Sequence, residues 1–143
     1  MKKKLSVVLP TYNEAENIQK VLQSTMSFLK SLPYDWEIWI VDNASSDNTK
    51  QKVIPFLKKY RNIKAVFRKV NLGYGASTIT GLQKAQGDVI IVMDSDGQHT
   101  AEDIKKFVEK TNNGYGLAVG WKKNRNDPFL RVLLSNVYNM LMG

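Results

Sequence analysis

The chain has 143 residues, of which 43% are hydrophobic and 24% are charged, values typical of one soluble globular domain with its own core. It contains no cysteine, which excludes disulfides and a thiolate metal site, and no run of about 18 apolar residues could form a transmembrane helix. The formal charge of +8 favours an anionic partner, such as nucleic acid, a phosphorylated substrate or a membrane surface, although solvated surface lysines would give the same total.

Strand patterns and helix patterns alternate along the whole chain. Short apolar runs predict five strands: Leu5–Leu9, the segment WEIWIVD ending at Asp42, IKAVF, Val89–Met93 and YGLAVG. Helical spacing predicts five helices: one from about Glu14 with Asn13 as N-cap, one through Val53, Leu57 and Tyr60, one from about Thr78 to Ala85, one that Thr100 and Asp103 begin, and one over Pro128–Met142. This order is typical of an α/β domain with a largely parallel sheet, and we expect a single domain over residues 1–143.

Ligands of such sheets bind beyond the carboxyl ends of the strands, so the loops there are the candidate site. The fourth predicted strand reads as buried on both faces and ends in a D-x-D pattern, Asp94 and Asp96. Side chains two apart on a strand point the same way, and Gln98 can add a third oxygen. Oxygen ligands of this kind suit Mg²⁺ or Mn²⁺ on a substrate diphosphate. The alternatives are solvated loop carboxylates or helix caps.

Other loop residues allow two interpretations each. Gly73 and Gly75 fit part of a dinucleotide-binding pattern, which keeps an NAD-binding oxidoreductase domain as a rival, but a turn that needs positive φ explains them as well. Tyr12 can stack on a planar base or be a plain surface tyrosine. His99 can contact a phosphate or a sugar, or it can pack beside the acidic pair.

Four segments together resemble one known family. They read VVLPTYNEAENI, WIVDNASSDNT, NLGYGASTITGLQKAQGDVIIVMDSDGQH and VGWKKNRNDPFLRVLLSNVYN. The chain resembles family 2 glycosyltransferases of the GT-A fold, and within them the polyprenyl-phosphate branch. The resemblance implies a Rossmann-like α/β/α sandwich with a mostly parallel sheet. The family's catalytic domain continues well beyond this chain, so the resemblance implies a C-terminally truncated, nucleotide-binding portion with acceptor-site residues beyond Gly143.

The resemblance also implies roles for individual residues. The nucleotide-sugar would be bound by Pro10, Tyr12, Glu14, Val41, Asp42, Asn43, Gly73, Asp94, Ser95 and Asp96. The cation would be held by Asp94, Asp96 and Gln98, of which the two aspartates are the catalytic candidates. The family usually has Asp-Asp where this chain has Asp42-Asn43, and Trp121 stands where many relatives have arginine. Lys122, Lys123 and Arg125 could take over the phosphate contact of that arginine, and His99 and Arg131 are further candidates for phosphate or acceptor contacts.

The resemblance implies a transferase that uses a UDP- or GDP-sugar and Mg²⁺ or Mn²⁺ and inverts the sugar on a polyprenyl-phosphate acceptor. The alternatives are a glycosyltransferase for a sugar hydroxyl and an NAD-binding oxidoreductase domain; no nucleic-acid-binding signature is present. We expect a cytoplasmic protein, peripheral at the cytoplasmic face of a membrane. The apolar pattern from Leu130 to Met142 predicts either a core helix or a helix that contacts anionic lipid or a second copy of the chain.

Overall fold

The computed structural model describes residues 3–98 and 101–120, and strands and helices alternate strictly within them. The elements are β1 Lys4–Thr11, α1 Ile18–Ser31, β2 Asp35–Asp42, α2 Thr49–Lys59, β3 Ile63–Phe67, α3 Gly73–Lys84, β4 Val89–Val92 and α4 Ala101–Asn112. The helix predicted over Pro128–Met142 lies outside the described residues.

The four strands form one parallel sheet in the order β3-β2-β1-β4. β1 is central, and its residue Val8 pairs with Trp39 of β2 and Val92 of β4. Because the strands are parallel, the segments that follow them all leave the sheet at one edge, its carboxyl edge. The sheet confirms the predicted α/β fold class and brings the candidate loops to one place.

Helices α1, α2 and α4 share a hydrophobic core with one face of the sheet. The buried strand residues of this core alternate along the chain, as the twofold repeat of a strand requires; they are Leu5, Val7, Leu9, Ile38, Ile40, Ile63 and Ile91, and Met93 just after β4 continues the pattern. The helix with the clearest predicted spacing, α1, buries every position expected of it: Ile18, Val21, Leu22, Met26 and Leu29. Helical periodicity therefore located this side of the core correctly.

Helix α3 packs on β1 and β2 at the opposite face of the sheet. Its Gly81 lies against Val8 and Val41, which alternate with the core residues of the first face. A Cβ built on Gly81 would lie 2.1 Å from Cγ1 of Val8, so only glycine allows the helix to come this close. The depth of α3 on the sheet, and with it the position of the first turn of α3, depends on this contact.

Two predicted helix starts are wrong. Helix α1 begins at Ile18 rather than near Glu14, and Asn13 does not cap it. Asn13 has a φ of +54°, and its Oδ1 accepts a hydrogen bond from the backbone N–H of Ser46 at 2.9 Å, so it joins two loops. Helix α3 begins at Gly73 rather than near Thr78, because the glycine segment forms its first turn.

The fifth predicted strand, YGLAVG, is also wrong within the described residues, since residues 115–120 form no strand. Leu117 and Val119 are 80% and 82% exposed. The prediction that both faces of the fourth strand are buried fails as well. β4 is an edge strand of the described sheet, and because α3 packs on β1 and β2, Ile90 remains 38% exposed.

Of the helices described here, the longest has 14 residues, and none is both long and apolar enough to cross a membrane.

Candidate functional site

A shallow cavity of about 200 Å³ opens at the carboxyl edge of the sheet, between the ends of β1 and β2 and the first turns of α3. Its lining comes from three separate segments of the chain: Pro10, Thr11, Tyr12, Asn43, Asn71, Gly73, Tyr74 and Ser77. Four of these residues were candidates from the sequence, namely Pro10, Tyr12, Asn43 and Gly73. The fold therefore brings together residues as far apart in the chain as Pro10 and Ser77, which are separated by 67 positions.

Asn43 forms the buried floor of the cavity. Its backbone N–H donates to the carbonyl oxygen of Thr11 at 2.9 Å, which fastens β2 to β1 at this edge. Its side-chain Nδ2 donates to Oδ1 of Asn71 at 2.6 Å, and its Oδ1 accepts from the N–H of Leu72 at 3.2 Å. Oδ1 of Asn71 also accepts from the N–H of Gly73 at 2.9 Å. The two asparagines thus fix the start of α3 relative to the sheet.

The loop after β1 is held by the loop after β2. The backbone N–H of Asn13 donates to Oγ of Ser45 at 2.9 Å, and the Ser45 hydroxyl donates in turn to the buried carboxylate of Asp42. Tyr12 precedes this anchored residue, lines the cavity and is half exposed. Asp42 therefore supports the loop that carries Tyr12 and does not itself line the cavity.

The acidic pair lies just beyond β4, where Asp94 and Asp96 are both half-buried. Ser95 between them is buried and donates its hydroxyl to the carbonyl oxygen of Pro10 at 3.0 Å, which ties this loop to β1. Oδ1 of Asp96 accepts from the backbone N–H of Gln98 at 2.9 Å across Gly97, whose φ is +79°. Both carboxylates thus sit on a loop that is fixed to the neighbouring strand.

Tyr74 connects the cavity with the acidic pair. Its ring lines the cavity, and its hydroxyl donates to Oδ1 of Asp94 at 2.8 Å. Partial loss of solvent around Tyr74, followed by the hydrogen bond to Asp94 and the negative charge of that residue, raises the pKa of Tyr74 to about 12. The phenol therefore stays protonated as a donor at neutral pH. Sequence reasoning did not select Tyr74 or Asn71; the only signal was their position within the glycine segment.

The remaining candidates lie elsewhere. Val41 is fully buried beneath α3. Glu14 is half-buried, accepts a hydrogen bond from Nδ2 of Asn17 at 3.0 Å and does not line the cavity. Gln98 is exposed. The side chains proposed for phosphate or acceptor contacts lie outside the described residues: His99, Lys122, Lys123, Arg125 and Arg131. Residues 3–98 and 101–120 contain no group of three or more His, Cys, Asp or Glu side chains that could hold a metal by themselves.

Comparison with known proteins agrees with this architecture. Residues 6–139 match glycosyl transferase family 2, and the chain belongs to that family. It is 39% identical over 137 residues to a dolichol-phosphate mannosyltransferase of Pyrococcus furiosus, covering 92% of this chain and 38% of the relative. It is 33% identical over 141 residues to an undecaprenyl-phosphate 4-deoxy-4-formamido-L-arabinose transferase of Pectobacterium carotovorum, covering 98% of this chain and 43% of the relative.

Among solved structures, the chain is similar to a mannosyltransferase of Pyrobaculum calidifontis in complex with GDP-Man and Mn²⁺. The TM-score is 0.56 at 25% identity, over 67% of this chain and 28% of that one. These findings confirm the predicted family and the GT-A fold and remove the oxidoreductase alternative. The chain spans about two fifths of the length of the curated relatives that it matches.

Proposed function

We propose that this chain forms the nucleotide-sugar-binding part of a glycosyltransferase that moves a sugar from a UDP- or GDP-sugar to a polyprenyl phosphate with a divalent cation. The observation that carries the proposal is the cavity at the carboxyl edge, which Tyr74 links directly to Asp94. The named relatives support the acceptor class, since their names specify dolichol phosphate and undecaprenyl phosphate.

The cavity suits a nucleobase. Tyr12 and Tyr74 present aromatic surface, and base–aromatic stacking contributes about 1–3 kcal/mol per base. The floor is polar at Asn43 and Asn71, but their side chains already bond to each other and to the loop before α3. We therefore propose that the rings supply most of the base affinity, and that Asn43 shapes the cavity.

The acidic pair fits a divalent cation that shares its ligands with a diphosphate. Mg²⁺ and Mn²⁺ are commonly bound by one or two carboxylates plus substrate phosphate oxygens, so a site without a third carboxylate is sufficient. Asp94 and Asp96 would hold the ion, and Gln98 would offer an amide oxygen. When bound, the ion neutralises charge on the departing nucleoside diphosphate. The similar solved structure of the Pyrobaculum calidifontis mannosyltransferase, in complex with GDP-Man and Mn²⁺, supports this assignment.

The proposed acceptor removes the need for a general base. A phosphate oxygen is already ionised near neutral pH, so it can attack the anomeric carbon without giving up a proton, and attack from the face opposite the diphosphate inverts that carbon. Asp94 and Asp96 would then only bind the divalent cation, and neither would have to accept a proton. A sugar-hydroxyl acceptor would require a carboxylate base at the acceptor. Because a polyprenyl phosphate resides in a lipid bilayer, we propose that the transferase works at a membrane surface.

A thermal-shift panel tests the donor assignment. The chain is melted with UDP, GDP, CDP or NAD, each with and without Mn²⁺. The variant Asp35→Asn is melted in parallel as a control for the loss of an aspartate outside the site. Asp35 is an exposed aspartate at the amino edge of the sheet, far from the cavity. We expect UDP or GDP to raise the melting temperature clearly more with Mn²⁺ than without it, in the wild type and in the control alike. Stabilisation by NAD without metal would contradict the proposal.

A further inference from the structure

The hydrogen bond between Tyr74 and Asp94 joins two parts of the site that are 20 residues apart in the chain. Tyr74 lies in the first turn of α3, and that turn is held by Asn71 and by a left-handed Gly73 with a φ of +82°. The hydroxyl therefore reaches Asp94 from a fixed backbone. The ring of the same residue lines the cavity proposed for the base.

We propose that Tyr74 is a positioning residue whose hydroxyl holds the carboxylate of Asp94 in the orientation that the divalent cation requires, while its ring forms a wall of the base cavity. This inference rests on the proposed function. Carboxylates that bind metals are themselves oriented by hydrogen bonds from groups behind them, and loss of such a bond commonly lowers metal affinity about 10- to 100-fold.

The dual contact has a thermodynamic consequence. If one side chain touches both the base and a metal ligand, a nucleotide that fixes the ring also fixes Asp94, and each ligand raises the affinity for the other. The cation and the diphosphate attract each other directly as well. Removal of the hydroxyl should therefore reduce the coupling between nucleotide and cation without abolishing it.

The substitution Tyr74→Phe separates the two roles, because it keeps the ring and removes the donor. The matched control is Tyr115→Phe: Tyr74 and Tyr115 are both 58% exposed, but Tyr115 lies after α4 near Lys110 and outside the cavity. Mn²⁺ is titrated into each protein, alone and with saturating UDP or GDP, and the concentration of free Mn²⁺ is measured by electron paramagnetic resonance. Nucleotide affinity without metal and the metal-free melting temperature are measured in parallel.

We expect Tyr74→Phe to lower Mn²⁺ affinity about tenfold and to leave metal-free nucleotide affinity and the melting temperature unchanged. Tyr74→Ala should lower Mn²⁺ affinity and metal-free nucleotide affinity together, and Tyr115→Phe should change neither. Wild-type Mn²⁺ affinity in Tyr74→Phe would overturn the inference, as would a lower metal-free melting temperature, which would make the hydroxyl a structural group. A wild-type chain that binds neither Mn²⁺ nor a nucleoside diphosphate would contradict the proposed function itself.

Discussion

The two ends of the sheet hold carboxylates in opposite ways. At the amino end, the side chain of Glu37 is 1% exposed and accepts hydrogen bonds from two ammonium groups, Nζ of Lys4 at 3.0 Å and Nζ of Lys64 at 2.9 Å. At the carboxyl end, Asp94 accepts from the Tyr74 hydroxyl and Asp96 from a backbone N–H. Both of these donors are neutral, so these two hydrogen bonds orient the carboxylates without adding a positive charge beside them.

This difference between the two clusters indicates which one affects the stability of the fold and which one affects ligand binding. Burial alone raises the pKa of Glu37, but hydrogen bonds from Lys64, the Gln86 N–H, Lys4 and Ser6 outweigh it and lower the pKa from 4.5 to about 2. The donors come from β1, β3 and the segment before β4, so this carboxylate connects much of the sheet. We expect the Glu37 cluster to govern folding and the acidic pair to govern ligand affinity.

The largest effect is expected at Glu37. Glu37→Ala leaves two ammonium groups side by side and removes the acceptor of the Ser6 hydroxyl and the Gln86 N–H, which should lower the free energy of unfolding by about 3 kcal/mol. Urea denaturation measures this loss. The control is Glu109→Ala, which removes an exposed pair with Lys105 at 3.9 Å and should cost less than about 0.5 kcal/mol. Equal effects of the two substitutions would remove the contrast.

The same cluster predicts how stability depends on pH. The pKa of Glu37 is lower in the folded chain than in the unfolded one, so its contribution is complete above pH 4.5 and is lost as the pH falls from there toward about 2. The loss from this group should reach about 3 kcal/mol. Urea midpoints between pH 6 and pH 3 should therefore fall less steeply in Glu37→Gln than in the wild type. Parallel curves would show that Glu37 does not carry this dependence.

Gly81 affects both stability and the candidate site, because α3 carries Tyr74 in its first turn and rests on β1 through Gly81. Gly81→Ala should lower the free energy of unfolding by about 2 kcal/mol through overpacking against Val8. It should also weaken nucleotide binding, since the first turn of α3 moves with the helix. In Gly75→Ala the added methyl meets open space, so stability should stay the same or rise slightly. A stable Gly81→Ala protein would mean that α3 sits farther from the sheet.

The smallest effect concerns the nucleobase. Tyr12→Ala should weaken binding of the nucleoside diphosphate by about 1.5 kcal/mol, at the low end of the stacking range because the ring is half exposed. Isothermal titration calorimetry with Mn²⁺ present measures the change. Affinity for inorganic diphosphate should stay constant, because that ligand has no base. If both ligands lost affinity equally, Tyr12 would support the loop rather than the base.

The sequence predicts the parts of the fold that burial makes periodic. Four strands and the buried face of α1 follow from apolar spacing, and the parallel order places the loops at one edge. The same rule fails for YGLAVG, since a short apolar run reads alike whether a neighbouring strand covers it or not. The burial of Ile90 was predicted wrongly for a related reason. Whether the outer face of a strand is buried depends on which helix packs on it, and the residues of the strand do not show this.

The strand pattern predicts a candidate-site residue where that residue lies just beyond the end of a strand. Tyr12, Asn43 and Asp94 meet that condition, so the strand order alone brings them to one edge. Tyr74 and Asn71 do not, because their roles depend on contacts across 20 and 28 residues and on a helix start that the glycines obscured. The sequence around a tyrosine in a glycine-rich segment does not indicate which residue its hydroxyl contacts.

The most direct test of the central claim is nucleotide binding by Asp94→Asn and Asp96→Asn, with metal-free stability measured on the same samples. We predict that each substitution abolishes the Mn²⁺-dependent gain in affinity for UDP or GDP. We also predict unchanged or higher metal-free stability, because one of two neighbouring negative charges is removed. Metal-dependent binding that survives both substitutions, or a clear loss of metal-free stability, would contradict the claim that this pair holds a cation for the donor.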